Sequence, residues 1–264
     1  MSTEDLARSL RLNVVEMSYR ARTAHLASAL SIIDILAVLY SNVIDLRSGP
    51  SDIFRDRFIL SKGHAAAALY AVLAWKGVIQ KDQLNRFGEK GSLMEEHPCP
   101  KLDGIEAASG SLGHGLPIGN GMALSALIKK IKYRVFVLMG DGECNEGSVW
   151  EGAMFAAQHK LNNLTAIVDF NKWQATGRID RTLKFGTLSK RWESFGWNAI
   201  DIDGHNHEDL NKALQEKDVE RPTVIIAHTT KGKGISFMED DNNWHYRSPN
   251  EEELAKARAE LGFT

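Results

Sequence analysis

Residues 135–152 read VFVLMGDGECNEGSVWEG, and the fold turns on how this stretch is taken. Val135, Phe136, Val137 and Leu138 form an unbroken apolar run, the composition of a strand buried on both faces. The run stops at Gly140-Asp141-Gly142, and two more acids, Glu143 and Glu146, come after it. Glycines at a strand end permit backbone angles and close approaches that a Cβ would block. A buried strand that ends by presenting one carboxylate between two glycines invites a ligand. A lone Gly-Asp-Gly also makes a simple tight turn, so the choice rests on the residues at the ends of the other strands.

Outward from this stretch, strand and helix periods alternate. Residues 4–21 and 31–41 have helical periodicity, and 57–61 (RFILS) is a short strand running into the helix-like AAAALYAVLAW. A glycine-rich turn, GSLGHG, leads into a helix through 122–130; strand 134–139, helix 148–159 and strand 164–169 come next. Helix 188–195, strand 197–202, helix 207–216 and strand 222–227 complete the series. With every strand read as apolar throughout, this alternation predicts an α/β fold: a parallel sheet flanked by helices on both faces. With no repeat and no linker-like stretch, residues 1–264 read as a single domain.

Composition narrows the function. With 43% hydrophobic and 25% charged residues, the chain is that of a soluble globular protein. A net charge of −2 with scattered Lys and Arg argues against a nucleic-acid partner. The start, MSTEDLARSLRLN, has no apolar core for a signal peptide, and the apolar stretch 26–40 is too short for a membrane span and is broken by Asp34. The two cysteines, Cys99 and Cys144, suit a reducing cytoplasm. A cytoplasmic enzyme without a membrane partner is the expectation.

In parallel sheets ligands bind beyond the carboxyl ends of the strands. The four strand ends carry Ser61-Lys62-Gly63-His64, Gly140-Asp141-Gly142, Asp169-Phe170-Asn171-Lys172-Trp173 and His228-Thr229-Thr230-Lys231-Gly232-Lys233-Gly234. Asp, Asn and carbonyl oxygens suit a hard cation such as Mg²⁺, and Lys62 and Lys231 suit a phosphate. Collected at one edge, they describe a magnesium-bridged diphosphate site. Asn162-Asn163 precedes its strand and so falls at the opposite edge.

Gly140-Asp141-Gly142 with Asn171 resembles the thiamine diphosphate motif, and the surrounding sequence resembles transketolase. DRFILSKGHAAAALYA, SGSLGHGLPIGNGMA, GDGECNEGSVWEGA, TTKGKG and WHYRSPNEEEL match that family in order, nearly end to end. The match covers the family's first, diphosphate-gripping (PP) domain, and in extent the chain is similar to the N-terminal subunits of split, two-chain transketolases. The resemblance implies thiamine diphosphate and Mg²⁺, with Ca²⁺ or Mn²⁺ as substitutes. It assigns the metal to Asp141, the Asn171 side-chain oxygen and the Trp173 carbonyl. Cofactor contacts fall to Ser28, Lys62, His64, Gly110, Ser111, Leu112, Gly142, Asn171, Lys231 and His245, with Gly142 letting the diphosphate approach the backbone. His25, His97 and His245 match substrate-channel histidines, and Glu146 matches an acid at the subunit contact that communicates with a glutamate of the partner. The implied partner is a C-terminal transketolase subunit carrying the pyrimidine-binding domain, in an α2β2 particle that works on sugars or sugar phosphates.

Such chemistry requires groups that move protons on and off oxygen as a carbon–carbon bond breaks. His159, His205 and His207 read instead as surface or satisfied structural histidines, and His228 matches no functional position. His97-Pro98-Cys99 lacks the second ligand pair of a zinc site, and Cys144 reads as packing. Two departures stand out: His114 occupies a position where many relatives carry Gln, and Thr23-Ala24-His25-Leu26-Ala27 replaces a glycine-rich surrounding, which narrows the channel. Competing readings are a 1-deoxyxylulose-5-phosphate synthase-like enzyme, the α subunit of a 2-oxo acid dehydrogenase, and a cofactor-binding chain without catalysis.

Overall fold

The computed structural model describes residues 1–47, 49–183 and 186–263. Strands β1 (Arg57–Leu60), β2 (Val135–Gly140) and β3 (Leu164–Phe170) run side by side, and β4 (Trp173–Gln174) with β5 (Gly177–Arg178) forms a small hairpin just beyond β3. Then β6 (Asn198–Asp203) takes the far edge and β7 (Thr223–His228) fills in, giving a five-stranded parallel sheet ordered β1-β2-β3-β7-β6. The alternation expected from the sequence is therefore what forms. One part of that expectation fails: β6 is not apolar throughout, and Asp201 and Asp203 are exposed on it. As an edge strand it has a neighbour on one side only, so part of its surface can stay wet.

The pleat sends alternate side chains to opposite faces, and each face has its own core. Phe136, Leu138, Ile167 and Ile225 join the helices α1 (Thr3–Ala21), α2 (Leu26–Leu30), α3 (Ile33–Val38) and α4 (Ala66–Trp75). Val135, Val137, Val168 and Ile226 point the other way, onto α5 (Gly115–Lys129) and α6 (Gly147–Gln158). Beyond the short α7 (Ile179–Thr182), α8 (Leu188–Ser194) belongs to this second core, while α9 (His207–Gln215) and α10 (Glu251–Glu260) return to the first. The chain leaving β3 thus turns to one face and the chain leaving β7 to the other, which opens a crevice between them, the usual ligand position in such sheets. Among the described residues no helix is long and apolar enough to cross a membrane.

The apolar stretch expected to start one helix at 31 is broken into α2 and α3. Ile32 (φ −102°, ψ 2°) leaves helical geometry between them. The break lets the Ser31 hydroxyl donate to Asp169 at 2.7 Å, a polar tie between this layer and the end of β3.

Candidate active site

The Asp169 carboxylate, fully buried at the end of β3, organises the crevice. It accepts hydrogen bonds from Lys62 Nζ (2.5 Å), Ser31 Oγ (2.7 Å), Asn171 Nδ2 (2.8 Å) and the Thr229 hydroxyl. Burial alone would raise its pKa, but the Lys62 ammonium and these donors outweigh that and hold it below the ordinary carboxylate value. One side chain therefore fixes four segments, those after β1, β3 and β7 and the α2–α3 break. No role fell to Asp169 in the sequence because three of its partners lie 60 to 138 positions away, and the fourth, Asn171, looks like an independent ligand.

Asp141 ends beside it, its backbone N–H donating to the Asp169 carbonyl at 3.2 Å. The Asp141 carboxylate is 1% exposed and, among the described residues, accepts from the Gly142 and Lys172 backbone N–H groups alone, at 2.7 and 2.6 Å. Burial, with the like charge of Asp169, pushes its pKa up to about 7. An anion so placed calls for a cation, and Lys62 is already committed to Asp169. The Asn171 amide is pinned by Asp169, and its Oδ1 accepts from the Trp173 N–H at 3.0 Å. Because the Ile179 N–H donates to the Lys172 carbonyl, Trp173 and Arg178 are a non-hydrogen-bonded pair of the hairpin. The Trp173 carbonyl then points away from Arg178, on the same side as its N–H and the Asn171 amide oxygen. The indole itself turns outward, donating to Asp240 at 2.8 Å. A buried carboxylate, an oriented amide and a free carbonyl are hard oxygen donors that fit Mg²⁺. Among the described residues no three His, Cys, Asp or Glu side chains are arranged to hold a metal, so a cation here depends on these mixed donors.

Of the two lysines expected to meet phosphate, the structure separates the roles. Lys62 is internally neutralised and also donates to the Ser28 carbonyl at 3.0 Å. Ser28, buried on α2, thus contributes its backbone to the lysine. Lys231, 1% exposed, bonds to neutral partners, Asn242 Oδ1 at 2.7 Å and His245 Nδ1 at 2.9 Å. Burial and the neighbouring Lys62 lower its pKa to about 8. Its charge is left for an anion.

The histidines converge above this floor. The His25 ring lies 5.1 Å from His245, 5.3 Å from His64 and 6.2 Å from His97. His25 is itself strained: it takes φ +69°, ψ 13° at the start of α2 while its N–H donates to the His245 carbonyl at 2.7 Å. Strained non-glycine backbone gathers at functional sites. Desolvation, with the charges of His97 and the two lysines, lowers the His25 pKa to about 4. Desolvation with Lys231 lowers His245 to about 3, and desolvation with Lys62 holds His64 well below its ordinary value. These three rings are neutral at pH 7 and can each accept as well as donate.

The 109–114 loop closes the wall. Gly110 has φ +140°, and a Cβ there would sit 2.7 Å from His97 Cδ2, so only glycine lets the exposed His97 ring lie against the loop. Ser111 is exposed and Leu112 half-buried beside it. The buried Glu143, another residue without a role in the sequence reading, anchors this loop. It accepts from the Gly113 N–H at 2.8 Å and from the Ser61 hydroxyl, and Ser61 accepts from the Gly115 N–H at 3.0 Å. Glu146 is exposed at the start of α6 and makes no capping bond with its side chain. Gly142 differs from its expected role: a Cβ there would first meet Gln174 Cγ at 3.0 Å, so the space above this glycine belongs to the Gln174 side chain. Gln174 Nε2, His25 Nδ1, Ser109 Oγ and Thr23 Oγ1 are all buried without a hydrogen-bond partner among the described residues, a clustering of unmet polar atoms that marks a ligand site. His205 and His207, unassigned in sequence, are satisfied structural histidines bound to Asp34.

The family model for the transketolase thiamine diphosphate binding domain matches residues 2–264. One of the two chains of the apulose-4-phosphate transketolase of Phocaeicola vulgatus is 39% identical over 254 residues, covering 95% of this chain and 90% of that protein. Human transketolase is 41% identical over 244 residues, but these span 39% of its length. The crystal structure of transketolase from Campylobacter jejuni superposes with a TM-score of 0.94 at 32% identity, over all of this chain and 43% of that one. On this evidence the chain belongs to the transketolase family, as its thiamine diphosphate-binding domain.

Proposed function

We propose that this chain is the diphosphate-binding subunit of a Mg²⁺-dependent transketolase that moves a two-carbon ketol unit from a ketose or ketose phosphate to an aldose or aldose phosphate. The observation that carries this reading is the four-histidine cluster seated directly above the buried Asp141–Asn171 floor. Thiamine diphosphate, when bound, supplies the electron sink for carbon–carbon cleavage. Asp141, the Asn171 amide oxygen and the Trp173 carbonyl would hold the metal, and Lys231 would face the diphosphate. The neutral rings of His25, His64 and His245, with His97 at the wall, hold substrate hydroxyls and move protons at the carbonyl oxygen as it gains and loses charge. Decarboxylating a 2-oxo acid does not call for so many hydroxyl contacts, which favours ketol transfer over the dehydrogenase reading.

Similar proteins of nearly the same length are named as single subunits of a transketolase, which supports a second polypeptide that carries the pyrimidine-binding domain. The exposed Glu146 is then free to meet it, in a particle of two copies of each chain. The test is a coupled ketol-transfer assay of the reconstituted pair against a ketose panel, comparing wild type with His25→Ala and His245→Ala. Each substitution should lower kcat/KM by roughly 10²–10³, the cost of one transition-state hydrogen bond, with a smaller effect on cofactor affinity. Unchanged kinetics on every accepted ketose would remove both residues from the site.

A further inference from the structure

Away from the floor, a second polar cluster is buried where α1, α3 and the loop before α9 meet. Asp34 Oδ2 accepts from Arg11 Nη2 at 2.5 Å and lies 2.7 Å from His205 Nδ1; its Oδ1 lies 3.0 Å from His207 Nε2. Burial would raise the Asp34 pKa, and the two imidazoles with the guanidinium outweigh it and hold the carboxyl charged. Such a cluster could merely brace the helices. Its outward partners indicate more.

The Thr230 N–H donates to His205 Nε2 at 2.8 Å, and Arg11 Nε donates to the Lys233 carbonyl at 2.9 Å. Residues 230 and 233 bracket Lys231, whose ammonium is bonded to an amide and an imidazole rather than to a carboxylate. Since a backbone N–H can only donate, His205 Nε2 must carry a lone pair, and its proton must sit on Nδ1, facing Asp34. Packing seals the arrangement: Gly234 has φ +94°, and a Cβ there would fall 2.6 Å from Arg11 Cδ. The Thr229 hydroxyl, bound to Asp169, fixes the incoming end of the loop.

We propose that Asp34, acting through His205 and Arg11, is a positioning residue that clamps the 229–234 loop on both sides of Lys231 and so aims its ammonium at the diphosphate. The effect of the clamp reaches the site through one amine and should vanish when that amine is removed. The inference rests on Lys231 facing the diphosphate, so a double-mutant cycle separates the two claims.

The full chain is titrated with thiamine diphosphate and Mg²⁺, with binding measured by calorimetry. His205→Leu should weaken binding about tenfold, the scale of one directed hydrogen bond, yet add nothing in a Lys231→Ala background. His205→Gln, whose amide can accept from Thr230 and donate to Asp34, should restore affinity. His207→Gln, which touches Asp34 but not the loop, should lower the melting temperature and leave affinity unchanged. Equal effects of His205→Leu with and without Lys231 would overturn the proposal. Unchanged affinity of Lys231→Ala would sink it together with the cofactor role of that lysine, and is the signature that distinguishes the two failures. Independently of any variant, ¹⁵N-detected imidazole spectra of the wild-type chain should show His205 as the Nδ1–H tautomer; finding the proton on Nε2 would also overturn it.

Discussion

Replacing Asp169 by Ala tests how the crevice is held together. The substitution strands the Lys62 ammonium, which is 1% exposed and keeps the Ser28 carbonyl as its remaining partner. Leaving one member of a buried ion pair uncompensated costs about 3–5 kcal/mol. The freed donors of Ser31 and Thr229 add about 1 kcal/mol each where water cannot reach them. A loss of about 4–6 kcal/mol is a large part of a typical stability. At about 2 °C per kcal/mol for a chain of this size, the melting temperature should fall by about 8–12 °C. Adding Lys62→Met removes the stranded charge, so the double variant should recover about half of that loss. Differential scanning calorimetry of the wild type, both single variants and the double variant provides the cycle. Additive losses would refute the reasoning, because they would mean that Lys62 and Asp169 are not the coupled pair on which the site's rigidity is argued to depend.

Two further outcomes come from the same geometry. Asp141→Ala should abolish Mg²⁺-dependent retention of thiamine diphosphate while leaving the melting temperature unchanged or raised, since it removes a buried carboxylate repelled by Asp169; unchanged calorimetric affinity would show the metal assignment to be wrong. Acidification should destabilise the chain between about pH 6.5 and pH 4. His25, His64 and His245 have folded pKa values below their ordinary one, so the unfolded chain takes up protons first and stability falls with pH, by on the order of 1 kcal/mol for each ring at pH 5. Lys62, Lys231 and His97 face these rings and oppose their protonation, and the Glu96 carboxylate, 3.9 Å from His25 Nδ1, is too distant and exposed to offset that. Denaturant midpoints that stay flat over this interval would count against three neutral, desolvated imidazoles.

Most of the sheet was legible because its signals are local. Val135–Gly140 and Leu164–Phe170 are short apolar runs with polar punctuation, and Asp141 and Asn171 come just after them at the edge where ligands bind. The histidine cluster became legible only through resemblance, since residues 25, 64, 97 and 245 share no spacing that chemistry alone would single out. What escaped is what depends on distant partners. An aspartate at the end of a strand looks like any other until Lys62 and Ser31, 107 and 138 positions away, are seen bonded to it. The break at Ser31–Ile32 was hidden inside a continuous apolar stretch because the force that makes it, a hydroxyl reaching Asp169, lies outside that stretch. Asp34 showed in the sequence only as a charge interrupting the same stretch, and its meaning needed Arg11, His205 and His207. Gln174 reads as an ordinary polar loop residue until its side chain is seen lying over Gly142.

The central claim is that this chain supplies the metal and diphosphate half of a ketol-transfer site that a second polypeptide completes. The direct measurement is ketol transfer from a ketose to an aldose, with thiamine diphosphate and Mg²⁺, by the purified chain alone and again after adding a subunit that carries the pyrimidine-binding domain. The account predicts no turnover by the chain alone, turnover with the second subunit, and its loss when the added chain is paired with the Asp141→Ala variant. Ketol transfer by this chain without any second polypeptide would contradict it.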